Sequence, residues 1–477
     1  MDYAKIGLKA GLEIHQQLEG GKLFCACPGY LRSEEPHFTV MRKLHAVAGE
    51  TGEVDVAVAH EATLKRAFYY QGYRDTTCLI ELDEEPPHLI NEEALDEALK
   101  IALLLNCEVY PVTQVMRKTV IDGSNTSGFQ RTVLLGHYGF IETSFGKVGI
   151  DTLCLEEDSA RIISKDSGKA VYRLDRLGIP LIEIATAPIL DTPEKIKEAA
   201  LKIGEILRAC EVKRGIGTIR QDVNISIKGH DRVEVKGFQE PGMMIETVQK
   251  EIARQERELK EGKKKGGVRG ALPTGETEFL RPMPGRARMY PETDLPLLKI
   301  GREKLNELKK VLPKMRHEIR DALKAKGLSD ELIGLVLEGH LDEFETLLQV
   351  IDDAPLVAKA VTLWRQEFAT KLKKTFEEVK AILSERVIEQ VLEAVREKKL
   401  ESANVKPILF KIVSGTSLNE ALKIEKVSHD ALEEQIALVV KEKPGLRAGA
   451  YMGMIIAKLG AGIDKRKAME ILQRVAM

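Results

Sequence analysis

Cysteine and aromatic residues are scarce in this chain: six Cys, one Trp, ten Tyr and twelve Phe stand among 477 residues. So few cysteines exclude a scaffold of small disulfide-built domains. No run approaches 18 uninterrupted apolar residues, and the opening MDYAKIG lacks a basic stretch followed by an apolar core. Neither a membrane span nor a secretory leader is therefore expected, and the chain reads as cytoplasmic. Charge is nearly balanced, with 72 Lys and Arg against 74 Asp and Glu. That excludes a histone-like basic protein but leaves room for a local basic surface. Familiar nucleotide and zinc motifs are missing as well. No GxxxxGK[ST] loop occurs, no GxGxxG opens a helix after a strand, and the HEATL at His60 and HEIRD at His317 lack a second histidine. A P-loop NTPase, a dinucleotide enzyme and a HExxH hydrolase are all disfavoured.

What is present is a chain long enough for two to four domains. Residues 1–295 alternate short strand-like runs, such as IGTIRQDVNISI, with helical stretches such as NEEALDEALKIALLLN. The run TPEKIKEAALKIGEILRAC opens at Thr192 as a capped helix start. Strands and helices without a regular βαβ rhythm predict an α+β fold. Residues 296–403 read as successive amphipathic helices, and residues 404–477 as a small helical tail domain.

Several polar positions stand out against this apolar patterning. In IGLKAGLEIHQQL, alternation puts Leu8, Ala10, Leu12 and Ile14 on one strand face and Glu13 with His15 on the other. An exposed polar face would look the same. Glu156, Glu157 and Asp158 follow an alternating strand in LCLEEDSARI, and Glu183 interrupts the apolar run IPLIEIATAPIL. A carboxylate buried in such a run needs a cation or a hydrogen-bonded partner. Glutamate oxygens with one imidazole suit Mg²⁺ better than Zn²⁺. The loop RKTVIDGSNTSGFQRT gathers Lys118, Asp122, Ser124 and Ser127 around two glycines and could face a phosphate or a carboxylate. Arg220, Asp222 and Asn224 share one strand face in RQDVNISI, and Glu234 and Lys236 share another in VEVKGF, suggesting a lined cavity. Cys25 and Cys27 in FCACP begin a metal knuckle, but no second CxxC follows, so free thiols are expected and zinc is not.

The strings GLEIHQQL, KLFCACP, DTTCLIELDEEPPH, LEEDSARI, RLGIPLIEIATAP, RQDVNISI and ARMYPETDLP occur in order across the first 295 residues. On these the chain resembles the B/E family of tRNA-dependent amidotransferase subunits, the archaeal E-type branch for Glu-tRNA(Gln) most of all. E-type subunits usually carry an insertion like one in bacterial aspartyl-tRNA synthetases, whereas here ERELKEGKKKGGVRGALP runs straight through. The resemblance implies a cradle-like catalytic domain over 1–295, followed by helical and tail domains. It also implies an ATP-dependent kinase and transamidase that converts Glu-tRNA(Gln) to Gln-tRNA(Gln), with ammonia from an asparaginase-like amidase, the D-type partner. His15, Glu157 and Glu183 would then ligate Mg²⁺, with Glu13 in the same cluster or at a second cation. Lys118, Ser127 and Gln130 would meet substrate or ATP, and Arg220, Asp222, Asn224, Glu234 and Lys236 would line the phosphate site and the ammonia exit. In the tail, Arg447, Lys458, Lys465, Arg466 and Lys467 would contact tRNA phosphates. A B-type subunit and a noncatalytic tRNA-binding adaptor remain alternatives; the buried Glu183 argues against the adaptor.

Overall fold

The computed structural model describes residues 1–49, 52–166, 168–238, 241–285, 288–422, 429–442, 447–459 and 465–475. The chain divides into two compact units, Met1–Met315 and Arg316–Met477. The change of texture near residue 295 thus precedes the division, because Ile300 and Leu308 are buried in the core of the first unit.

The first unit is built on an 11-stranded sheet. At its centre the strand Lys9–Gln17 lies antiparallel between Pro180–Thr186 and Ile219–Ser226. The sheet continues on one side through Gly146–Glu157, Phe129–Thr143 and Val115–Thr119 to the edge strand Met289–Pro291. On the other side it continues through Val233–Phe238 and Val268–Ala271 to the edge strand Thr277–Arg281. Val233–Phe238 and Val268–Ala271 run parallel, which requires a crossover, and the helix Met243–Lys260 supplies it. Residues 261–267 then lead directly into the strand.

Alternation along Lys9–Gln17 decides the two faces of this sheet. Ala10, Leu12 and Ile14 are buried in one core with the helices Glu92–Leu104, Pro193–Ala209 and Met243–Lys260. The Pro193–Ala209 helix starts as the sequence indicates: the Thr192 side chain accepts from the Lys195 N–H, and Pro193 occupies the first turn. With the apolar face covered by helices, Glu13 and His15 emerge on the opposite face.

A smaller sheet orders Phe38–Arg42, Ala67–Gly72, Lys169–Arg173 and Arg161–Lys165 around Phe68, Tyr70 and Tyr172. Its tyrosines clamp the 120–128 loop: Tyr70 Oη donates to the Gly123 carbonyl and Tyr172 Oη to that of Asp122, each at 2.9 Å. Gly123 has φ +93°, and a Cβ there would lie 2.2 Å from the Phe68 ring, so the loop needs glycine at this point.

The second unit is helical throughout its described residues. One core gathers Leu332, Phe344, Val357, Phe368, Val391 and Leu409, and a smaller one joins Ile436, Tyr451, Ile455 and Leu472. Arg365 is fully buried; its guanidinium is held by Glu343 and by the carbonyls of Val361 and Leu383. These bonds compensate the desolvation that a buried guanidinium would otherwise suffer.

Glu251 ties the crossover helix to the sheet edge. Its buried carboxylate accepts from Arg254, Gln255 and Thr277 at 2.7–3.0 Å. Burial alone would raise its pKa, but the Arg254 hydrogen bonds hold it below the usual glutamate range. A depressed folded pKa means stabilisation that is complete above the unfolded pKa and fades as pH falls through the folded one. Glu251→Gln is expected to cost about 3 kcal/mol at pH 7. The gap from wild type, read as urea midpoints at pH 7 and pH 3.5, should shrink in acid.

Candidate active site

The helix-free face of the large sheet carries a cleft of about 1150 Å³. Strand register assembles its floor. His15 stands opposite Glu183 on one neighbouring strand and opposite Arg220 on the other, while Glu13 stands opposite Asp222. His15 Nε2 lies 3.3 Å from Glu183 Oε2 and 3.6 Å from Glu13 Oε1. The Lys118 ammonium reaches across to Glu183 Oε2 at 3.0 Å and also bonds Glu156. Thr132 and Gln130 donate to the two oxygens of Glu156 at 2.8 and 3.1 Å.

The charge states follow from this crowding. Burial opposes ionisation of Glu183, yet Lys118 and His15 together hold it well below the usual carboxylate range. Glu156 is raised by burial and by its neighbour Glu183, against the pull of Lys118. Burial and Glu183 push Glu13 up to about 6. Burial disfavours the charged forms of His15 and Lys118, but facing carboxylates overcome it and raise both.

His15, Glu156 and Glu183 each offer one ligand atom, all within 4.8 Å of one another, and Glu13, His15 and Asp222 form a second such group sharing the histidine. Hard carboxylate oxygens with a single imidazole fit Mg²⁺. Lys118 supplies positive charge between the two glutamates.

Glu157, expected as a ligand, is placed apart from His15 and Glu183. Leu153 and Leu155 are buried in the core face, and Glu157 shares their parity. It meets the backbone N–H and Nη1 of Arg131 at 3.3 and 3.4 Å, away from His15. Glu156 takes its place among the cleft carboxylates. That parity was readable in TLCLEE. Ser127 also departs from expectation: its hydroxyl donates to the Phe129 carbonyl, and it lines a separate small cavity beside Cys25 and Glu81. Lys118, Gln130, Arg220, Asp222, Glu234 and Lys236 do line the cleft. Lys236 pairs with both Glu234 and Asp222, the latter at 2.6 Å, and Arg220 pairs with the buried Asp158 at 3.0 Å. Asn224 shares their strand face one repeat further along, beside Gly11 and Glu234, and is not among the lining residues. Arg232, Arg281 and Arg288 line the cleft too, and no spacing in the sequence marked them.

A second cluster brings in Cys78, which no spacing in the sequence had joined to Cys25 and Cys27. Cys25, Cys27, Cys78 and Glu81 place their ligand atoms within 4.8 Å of one another. Glu81 accepts from the Cys25 thiol at 2.9 Å and the Cys78 N–H at 2.7 Å, and pairs with the fully buried Lys22 at 3.0 Å. Hydrogen bonds from Cys25 and Cys27 hold Cys78 far below the usual thiol range. Three thiols and a carboxylate form a four-ligand donor set suited to zinc, which the CxC pair alone was not.

In the tail, Arg447, Arg466 and Lys467 are exposed. The side chains of Lys458 and Lys465 lie outside the described residues.

Two outcomes test these sites. Glu156→Gln should weaken Mn²⁺ binding, read by electron paramagnetic resonance, by about tenfold or more, whereas Glu157→Gln should leave it within about twofold. The purified chain should contain zinc near one equivalent by elemental analysis, and Cys78→Ser should lose most of it.

Residues 8–306 match the family model described as the GatB/GatE catalytic domain. The chain is 36% identical to the E-type glutamyl-tRNA(Gln) amidotransferase chain of Methanocaldococcus jannaschii, covering 99% of both chains. It is 33% identical to the corresponding chain of Methanococcus maripaludis, covering 99% of this chain and 98% of that one. The corresponding chain of Pyrobaculum arsenaticum is also 33% identical, over 93% and 95% of the two chains. The first alignment runs over 633 positions against 477 residues here, so part of that relative has no counterpart in this chain. The chain belongs to the GatB/GatE family, in its E-type branch of Glu-tRNA(Gln) amidotransferases.

Proposed function

We propose that this protein activates glutamate on misacylated Glu-tRNA(Gln) with ATP and amidates it to Gln-tRNA(Gln). The observation that carries this reading is the His15, Glu156 and Glu183 set, bridged by Lys118, on the floor of a cleft rich in paired charges.

A carboxylate is a poor acyl donor because hydroxide leaves badly. Transfer of the ATP γ-phosphoryl to a side-chain carboxylate oxygen of the glutamyl group yields an acyl phosphate and ADP. The ammonia lone pair then adds to the acyl carbon, phosphate departs with the C–O bonding pair, and nitrogen loses a proton to leave the amide. Bringing two anions together needs cations, and His15, Glu156 and Glu183 would hold a Mg²⁺ ion that would supply that neutralisation. Glu13 and Asp222 lie on the His15 side of the same group. Lys118, Arg220 and Lys236 are cations on the cleft wall that can answer the developing phosphate charge. Gln130 fixes the orientation of Glu156.

Ammonia would come from an asparaginase-like amidase partner, entering through the polar wall around Asp222, Glu234 and Lys236. The tail residues Arg447, Lys458, Lys465, Arg466 and Lys467 would meet tRNA phosphates. The Cys25, Cys27, Cys78 and Glu81 cluster would hold a structural ion, since its small cavity is separate from the cleft.

The test follows ADP release and the charged state of the tRNA with ammonium chloride as nitrogen donor, so that no amidase is required. ATP turnover dependent on Glu-tRNA(Gln) is expected, and Glu183→Gln should lower it by about 100-fold or more. Undiminished amidation by that variant would refute the metal assignment. A wild-type chain that uses no ATP would favour the noncatalytic adaptor.

A further inference from the structure

The acidic floor of the cleft is matched by cations, but two arginines brought in from the ends of the sheet form no ion pair among the described residues. Arg281 ends the edge strand Thr277–Arg281, and Arg288 immediately precedes the opposite edge strand Met289–Pro291. Strand order puts them at the two ends of the sheet, yet both line the same cleft and share a second small cavity with Thr119, Val120 and Asp122. The sheet therefore curls enough to bring its ends together over the floor. Among the described residues, no carboxylate forms an ion pair with either guanidinium. Arg288 Nε donates to the Thr119 carbonyl at 3.1 Å, and among the described residues neither of its Nη groups has a hydrogen-bond partner.

That arrangement sets two guanidiniums side by side in one polar cleft. Burial and the nearby Arg281 lower the basicity of Arg288, against the pull of Asp55, Glu156 and Asp122. Both guanidiniums line the cleft whose floor holds Lys118 with Glu156 and Glu183. Like charges side by side in a partly buried site favour the binding of an anion between them. The guanidinium fork suits phosphate oxygens, and two forks side by side suit consecutive phosphates better than one isolated phosphate. The position also matters: Thr119, which holds Arg288, follows Lys118, whose ammonium touches Glu156 and Glu183. Phosphates gripped there would lie next to the residues suited to hold Mg²⁺.

We propose that Arg281 and Arg288 form the polyphosphate-binding wall of the cleft, opposite its carboxylate floor, and hold the triphosphate of ATP. This deepens the ATP-dependent reading above and rests on it. It assigns to two residues after position 280 a role that the 117–132 loop was expected to fill.

The experiment uses the full chain with two probes: the magnesium complex of a nonhydrolysable ATP analogue, and inorganic tripolyphosphate. Titration calorimetry gives their dissociation constants for wild type, Arg281→Met and Arg288→Met, with thermal melts to verify folding. Each substitution is expected to weaken both probes by about tenfold or more. Arg288→Lys and Arg281→Lys, which keep charge but lose the fork, should fall between, and they replace a Met variant that does not fold. Binding of uncharged tRNA(Gln) should change by less than about twofold. Unchanged probe affinity in folded variants would overturn the arginine assignment while leaving the ATP reading intact. Weakened tRNA with unchanged probes would assign the arginines to a sugar–phosphate backbone and overturn it too. A wild-type chain that binds neither probe would overturn the assignment together with the ATP reading.

Discussion

Two glutamates on a sheet face share one lysine. Glu156 and Glu183 sit on adjacent antiparallel strands, both largely removed from water, and the Lys118 ammonium lies between them. Without a cation there, mutual repulsion and desolvation would protonate one of them or push the strands apart. Lys118 can reach because Val115–Thr119 and Phe129–Thr143 run antiparallel and set Lys118 opposite Gln130, whose amide holds the same Glu156. The site is therefore already assembled with an internal cation, and a divalent ion would enter by exchange rather than by gathering loose carboxylates.

The division of labour between the two faces of the large sheet makes this possible. Three helices pack the apolar face, so the strands are held firmly while the other face stays open. Polar side chains on rigid strands are placed more accurately than on loops. The cleft-facing charges are arranged in alternating pairs, with His15 against Glu183, Lys236 against Asp222 and Glu234, and Arg220 against Asp158. On the core side, the pair of Arg131 with Glu292 at 2.8 Å and the contact of Arg117 with the same carboxylate anchor the segment that follows Met289–Pro291. That anchoring fixes Arg288 beside Thr119, so a buried ion pair on one face positions a cation on the other.

Much of this could be read from local pattern. Glu13 and His15 share a face because a strand alternates, and Glu183 needed a partner because an apolar run surrounds it. The same rule, applied to Leu153 and Leu155, assigns Glu156 rather than Glu157 to the cleft, whereas the family resemblance had pointed to Glu157. Ser127 and Cys78 are different. Whether a loop hydroxyl faces a cleft or its own backbone depends on how Tyr70 and Tyr172 clamp the 120–128 segment. Cys78 joins Cys25 and Cys27 only because residues far apart in sequence close upon Glu81 and the buried Lys22.

The sequence by itself determined the α+β class, the strand faces, the helix starts such as Thr192 and the acidic and imidazole groups that require partners, since each follows from the backbone periods of two and 3.6 residues. Only the tertiary structure decided who those partners are. Lys118 meets Glu183 across 65 residues, and Arg281 and Arg288 reach one cleft from opposite edges of the sheet. Strand order and register set those meetings, and both are chosen by the burial of the whole sheet under its helices, which no local stretch encodes.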